Sequence, residues 1–367
     1  MIVVHIPSWF PDADKPLNGN FILRQIGTLG DSIRSIVLHH TLEDFDIPMP
    51  ENVQFHRVPY RRRSHLFSSY ITEFQNIVKK YGKPDILHLH VALPLGPVAA
   101  HLARKFEIPL VVSEHWSVYQ PMNRHTLRFY QKWLLRYVYR TAACVTAVSQ
   151  NLLDNITETV PAAAGKPQAV VGNVVDSQLF ALKETLPQEG RKRILHVSTL
   201  DNEAKNIMGI LRAIQQLSLQ RNDFQLDIVH DFQNKEAEAY VRDNGLSNTV
   251  YFLGRKTSSE IAALLQESAF FLMFSNYENQ PCVLLESFCT GTPAIATPVG
   301  GIPEIANPEN AVFTAPRDES QLVDKLNFML DNFQNYDSAA IRDKALSVCS
   351  PAFVRDRWLS VYRSVTK

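Results

Sequence analysis

The chain is short of cysteine: its 367 residues hold four, Cys144, Cys282, Cys289 and Cys349, with no CxxC spacing. That argues against a zinc framework or a disulfide-stapled fold and suits a reducing compartment. An excess of one charge is also missing. The 37 Lys+Arg balance 37 Asp+Glu, so the basic bias of a nucleic-acid binder is absent. No apolar run approaches the ~18 residues of a membrane span. The opening "MIVVHIPSWFPDADKP" lacks the basic stretch and apolar core of a signal peptide, so a cytoplasmic location is expected. No HExxH, GxxxxGKS or Ser-His-Asp order appears, and without GxGxxG a nicotinamide dehydrogenase is disfavoured.

What is present is ordinary for a globular protein: 45% apolar and 20% charged residues. The length exceeds what one core usually serves, so two domains are expected. Residues 1–180 carry 18 Lys+Arg against 14 Asp+Glu, and residues 181–367 carry 19 against 23. Short apolar runs alternate with helical patterns. Strands are expected at 1–6, 35–40, 53–58, 85–90, 109–115 and 143–149, with helices at 20–29, 66–81, 95–106 and 122–140. The pattern pauses over 172–193, read as a linker, and restarts with strands at 193–198, 224–230, 249–254, 269–275, 293–298 and 310–315. Ser350 followed by Pro351 opens a last helix. Hydrophobic strands alternating with helices mean parallel sheets covered on both faces. The expected fold class is α/β, with two doubly wound Rossmann-like domains facing a central cleft. Ligands in such sheets bind outside the carboxyl ends of the strands.

Several residues fall at such ends. "SNYENQPCVLLESFCTG" (275–291) places Glu278 just past a strand and Glu286 inside the following helix, which is expected to start at Pro281. Helix-terminal amides would attract phosphate, while the carboxylates could accept hydrogen bonds from sugar diols. The competing account is that Glu278 caps the helix and Glu286 is solvated. Lys205 would begin a helix and neutralise a diphosphate, or it is a surface lysine. Gly19, in "PLNGNF", allows close approach of a phosphate, or marks a plain turn. Glu114 and His115 end an apolar strand, where His115 either polarises a ligand or is simply buried and hydrogen-bonded. The glycines of "TPVGGIPEI" (297–305) mark a close-approach loop or a turn. The acidic "DAD" (12–14) and "DFD" (44–46) have no third ligand evident, and no metal site is expected.

Taken in order along nearly the whole chain, these segments resemble a family 4 retaining glycosyltransferase of the GT-B fold. The strongest match is "ENQPCVLLESFCTGTPAIATPVGGIPEI", which carries that family's E-x7-E signature and glycine loop. The resemblance implies an N-terminal acceptor domain (1–176 with 350–367) and a C-terminal nucleotide-sugar donor domain (177–349). It implies that Glu278 contacts donor-sugar hydroxyls, Glu286 the ribose diol and Lys205 the diphosphate. The stretch Asn279, Gln280, Pro281, Cys282 and Val283 would present backbone amides. Gly19 would approach the diphosphate across the cleft, and His115 would lie near the reacting sugar. Transfer would proceed with retention, without metal, cofactor or enzyme nucleophile. The family usually has an arginine where Thr199 stands. Arg255 or Lys256 would have to supply the missing cation.

The expected partners are a nucleotide-diphosphate sugar and a glycan or lipid-linked acceptor in cell-surface polysaccharide biosynthesis, with no nucleic acid. The basic, aromatic stretches "YRRRSHLF" (60–67) and "NRHTLRFYQKWLLRYVYR" (123–140) lie in the acceptor half. The second has Leu127, Tyr130, Leu134, Tyr137 and Val138 at helical spacing, with Arg128, Lys132, Arg136 and Arg140 on another face. It is either a peripheral contact with the inner face of a membrane or a core-packed helix with a solvated basic face. Two rival functions are a nucleotide-sugar 2-epimerase and an inactive sugar-nucleotide-binding homologue.

Overall fold

A computed structural model describes residues 1–11, 18–40, 49–59, 65–183 and 190–366. The acidic pairs at 12–14 and 44–46, and residues 60–64 of the first basic stretch, lie outside the described residues. The chain divides into two compact units, Met1–Val174 with Pro351–Lys367, and Val175–Ser350.

The first unit is a seven-stranded parallel sheet: β1 (Ile2–Pro7), β2 (Arg34–His40), β3 (Val53–Val58), β4 (Ile86–His90), β5 (Leu110–Glu114), β6 (Cys144–Ala147) and β7 (Gln168–Val170). The spatial order is β3-β2-β1-β4-β5-β6-β7. Its helices are α1 (Asn20–Gly27), α2 (Leu66–Tyr81), α3 (Gly96–Phe106), α4 (Phe129–Thr141) and α5 (Gln150–Thr159). The second unit has six parallel strands, β8 (Lys192–Ser198), β9 (Phe224–His230), β10 (Val250–Gly254), β11 (Phe270–Met273), β12 (Ala294–Ala296) and β13 (Ala311–Phe313), ordered β10-β9-β8-β11-β12-β13. Its helices are α6 (Asn202–Lys205), α7 (Ile207–Ser218), α8 (Lys235–Asp243), α9 (Ser258–Glu267), α10 (Cys282–Cys289), α11 (Glu319–Asn332) and α12 (Ser338–Cys349).

The last helix, α13 (Pro351–Val365), belongs to the first unit. It buries Val354, Trp358, Val361 and Tyr362 among Val3, Leu29, Ile86 and Val111. The Tyr362 hydroxyl also reaches His88 Nδ1 at 2.8 Å.

In the first unit sequence periodicity missed two elements. β7 is three residues long, too short to show a pattern. α5 is polar over much of "QNLLDNITET", yet Ser149 caps it by accepting from the Leu152 amide. The helix expected over 122–140 is broken. A 3-10 turn at Arg124–Thr126 precedes extended Leu127 and Arg128, and α4 starts only at Phe129.

Strand order reverses between β1 and β4 in the first sheet and between β8 and β11 in the second. In each, the two connections leave in opposite directions and open a crevice at the carboxyl ends. Glu278, Lys205, Gly19 and His115 follow those ends, and Glu286 lies in the helix that follows β11.

Candidate nucleotide-sugar site

In the second unit, β8 ends at Ser198 and β11 at Met273. The loops that follow meet. Lys205 Nζ lies 2.5 Å from Glu278 Oε1, which also accepts from Ser275 Oγ at 2.8 Å. The two loops are further tied by the Asn276 amide donating to the Ala204 carbonyl (2.8 Å) and Asn276 Nδ2 to the Glu203 carbonyl (2.8 Å). Lys205 does not begin a helix as expected; it ends the single turn α6. Asn206 then takes a left-handed conformation (φ +52), which asparagine tolerates, before α7 begins. That break aims Lys205 back at the strand ends.

His196 on β8 was not singled out in the sequence, yet it braces this corner. Its Nδ1 faces the Leu272 carbonyl at 2.9 Å, so Nδ1 carries the proton and Nε2 accepts from Ser198 Oγ at 2.7 Å. Ser198 Oγ in turn accepts from the Leu200 amide at 3.1 Å. Burial lowers the His196 pKa to about 4, keeping the ring neutral. Leu200 is left-handed (φ +57), and Thr199 stands exposed between them.

The glycine pair after β12 is a close-approach loop. Gly300 has φ +55, and a Cβ there would stand 1.7 Å from the Glu278 carbonyl oxygen. The next amide, of Gly301, donates to the Asn279 carbonyl at 3.0 Å, and Thr297 Oγ donates to the Ser275 carbonyl at 2.6 Å. The carboxylate is thus positioned by its own backbone, which a second loop grips from behind.

α10 starts at Cys282, one residue later than expected, with Pro281 as its N-cap and no side-chain cap from it. Pro281 has no N–H, so it cannot donate. Asn279, Gln280, Cys282 and Val283 are the amide-bearing members of that stretch, all half-buried. Glu278 and Glu286 are 8% and 6% exposed, so Glu286 is not the solvated side chain of the competing account. Two carboxylates are held in a largely dry setting with a lysine on the first. A buried ion pair is weak evidence of stabilisation, because desolvation offsets its attraction. Arg255 is elsewhere: it follows β10, two strands from β8, half exposed and 3.8 Å from Asp231. Lys256 pairs with Glu260 at 3.0 Å.

In the first unit, Gly19 is left-handed (φ +71), and a Cβ would clash with the Trp9 carbonyl at 2.4 Å. It is required by the fold whatever it binds. Phe21, two residues on, packs its ring 4.5 Å from that of His115, whose pKa burial lowers to about 3. Glu114 is a buried hub: it accepts from the Ala92 amide (2.9 Å), Tyr119 hydroxyl (3.0 Å) and Tyr139 hydroxyl (3.1 Å). Its charge is used internally, so of the pair only His115 remains a ligand candidate.

At this unit's strand reversal His5, His88 and His90 form a buried cluster, with ring nitrogens within 4.8 Å of one another. Burial pushes His5 down to about 3 and the other two well below their usual range, so all are neutral. Both nitrogens of His88 are engaged, Nδ1 by Tyr362 and Nε2 by Ser113 Oγ at 2.6 Å. The cluster therefore ties β1, β4, β5 and α13 together.

Two family models match the chain: glycosyltransferase family 4 over residues 28–179 and glycosyl transferases group 1 over residues 178–344. The chain is a GT-B glycosyltransferase. It is 26% identical over 329 residues to an uncharacterized glycosyltransferase of Methanocaldococcus jannaschii, covering 88% of each chain. Among solved structures, the transferase resembles a sucrose-phosphate synthase from Thermosynechococcus elongatus (TM-score 0.81, 18% identity, 100% and 99% of the two chains). It also resembles Anabaena HepE in complex with UDP-glucose (TM-score 0.76, 18% identity, 99% and 100%). Among the described residues no helix is long and apolar enough to cross a membrane.

Proposed function

We propose that this transferase is a retaining, metal-independent hexosyltransferase. It would move a sugar from a nucleotide-diphosphate sugar to a glycan or lipid-linked acceptor in cell-surface polysaccharide assembly, in the cytoplasm at the inner membrane face. The observation that carries the donor assignment is the Lys205–Glu278 pair, 2.5 Å apart at the second sheet's strand reversal and just before the N-terminus of α10. A diphosphate would draw Lys205 and the amides of Asn279, Gln280, Cys282 and Val283. Glu278 would then be left to accept from the sugar hydroxyls and Glu286 from the ribose diol. In the reaction the anomeric carbon's bond to the diphosphate oxygen breaks and its bond to the acceptor oxygen forms on the same face. The acceptor's proton passes to the departing diphosphate. Charge grows on the leaving group, where a fixed cation and helix amides stabilise it most. The neutral, half-buried His115 would support the sugar by hydrogen bonding, not as a cation. The UDP-glucose held by the Anabaena neighbour makes a UDP-hexose the first donor to try.

The test is thermal unfolding with a panel of nucleoside diphosphates and their sugars. A ligand at a hundred times its Kd adds about 2.7 kcal/mol, a rise of roughly 5–11 °C in a unit of this size. If no nucleoside diphosphate shifts the transition, the proposal fails. Thr199, exposed and uncharged, favours a second reading of weak or absent turnover. Donor binding with neither transfer nor hydrolysis would establish that reading, and donor inverted at C2 without acceptor would instead identify a 2-epimerase.

A further inference from the structure

From His115 to Leu153 the chain has no acidic residue but five cations, Arg124, Arg128, Lys132, Arg136 and Arg140. Arg124 is neutralised by Glu158 at 2.7 Å. Lys132, Arg136 and Arg140 make no ion pair among the described residues. They form one i,i+4 stripe along α4 and line a cavity of about 540 Å³ with Thr159, Val160 and Pro161. Lys166 Nζ donates to the Arg140 carbonyl at 2.7 Å, which adds a fourth cation.

Beside that stripe stand two aromatic side chains the sequence analysis did not single out, Phe129 and Trp133, one helical turn apart. Phe129 is 88% exposed and Trp133 65%, with Tyr130 next to them 54% exposed. Of the apolar residues at helical spacing, Leu127 and Val138 are buried, as the core-packed reading expects, and Leu135 and Tyr139 complete the core face. A core-packed helix with a solvated basic face accounts for the cations. It does not account for three large aromatic rings set in water among them.

We propose that this face of α4 docks on an anionic lipid bilayer, with lipid phosphates entering the cation-lined cavity and Phe129 and Trp133 seated at headgroup depth. The chemistry is complementary on both counts. Aromatic rings with an apolar body favour the membrane–water interface. Unpaired Lys and Arg near an anionic leaflet each contribute attraction that salt screens. The proposal does not rest on the transferase reading, since its residues belong to the first unit and Lys205 and Glu278 to the second.

The experiment is co-sedimentation of the full chain with phosphatidylcholine vesicles, with and without phosphatidylglycerol. The wild type is expected to bind only the anionic vesicles and to be released by salt. Lys132→Gln, Arg136→Gln and Arg140→Gln together should weaken binding about a hundredfold, from about fivefold per cation. Phe129→Ala with Trp133→Ala should weaken it while leaving the salt dependence in place. All five side chains project outward, so an unchanged melting temperature certifies folding without reference to nucleotide binding, and the single variants Arg136→Gln and Arg140→Gln repeat the test if the triple variant unfolds. Absence of wild-type binding to anionic vesicles overturns the proposal, as does unaltered binding by the variants. Release by millimolar inorganic phosphate, or equal binding of single-stranded RNA with no contribution from the aromatic pair, would assign the cations to another anion and overturn it too.

Discussion

Replacing Gly300 by alanine probes the donor site without touching any group proposed to meet a ligand. Gly300 sits at φ +55 with its missing Cβ 1.7 Å from the Glu278 carbonyl oxygen, where real contacts stay beyond 3.0 Å. The loops must therefore part by the difference, 1.3 Å. Holding alanine left-handed costs about 1–2 kcal/mol, and losing the Gly301–Asn279 hydrogen bond about 1 more. The sum, about 2–3 kcal/mol, should lower the melting temperature of the Val175–Ser350 unit by roughly 4–12 °C. Displacing Glu278 by about 1 Å should cost on the order of a hundredfold in turnover. Gly245→Ala is the control in the same unit: φ is +69 but nothing lies within 4 Å, so only the backbone strain is felt. Calorimetry and a donor-turnover assay read the two variants side by side. If Gly300→Ala melts with Gly245→Ala and keeps full turnover, the idea that the glycine loop positions Glu278 is wrong.

The two carboxylates should separate by function: Glu286→Ala is expected to weaken nucleoside diphosphate binding, and Glu278→Ala to reduce turnover more than nucleotide affinity. Isothermal titration and initial rates measure the two effects, and negligible change in both would return these residues to a purely structural role. Acid should destabilise the first unit. His5 and His39 are held neutral by burial, with pKa values lowered from 6.5 to about 3. The unfolded chain takes up protons there that the folded one refuses, so their stabilisation is complete above pH 6.5 and is lost as pH falls toward 3. At pH 5.5 each costs about 1.4 kcal/mol, so calorimetry should show the melting temperature falling between pH 7.5 and 5.5, and a flat profile would refute it.

The sequence determined the α/β class of both halves, because strands buried on both faces must be hydrophobic throughout. "IVVHIP" and "FFLM" could be recognised before any contact was known. It also marked Lys205, Glu278 and the glycine pair as candidates, since each falls just past a strand. Tertiary structure decided what they do. Lys205 and Glu278 are 73 residues apart in the chain and meet only because strand order reverses between β8 and β11. Neither His196 nor the grip of Gly300 on the Glu278 backbone leaves a periodic trace, since each acts through one hydrogen bond or one close approach. The outer face of α4 was left open for a related reason. A helical wheel gives the angle between side chains, but only packing against the core fixes which angle faces water, and that turned Phe129 and Trp133 outward beside the cations.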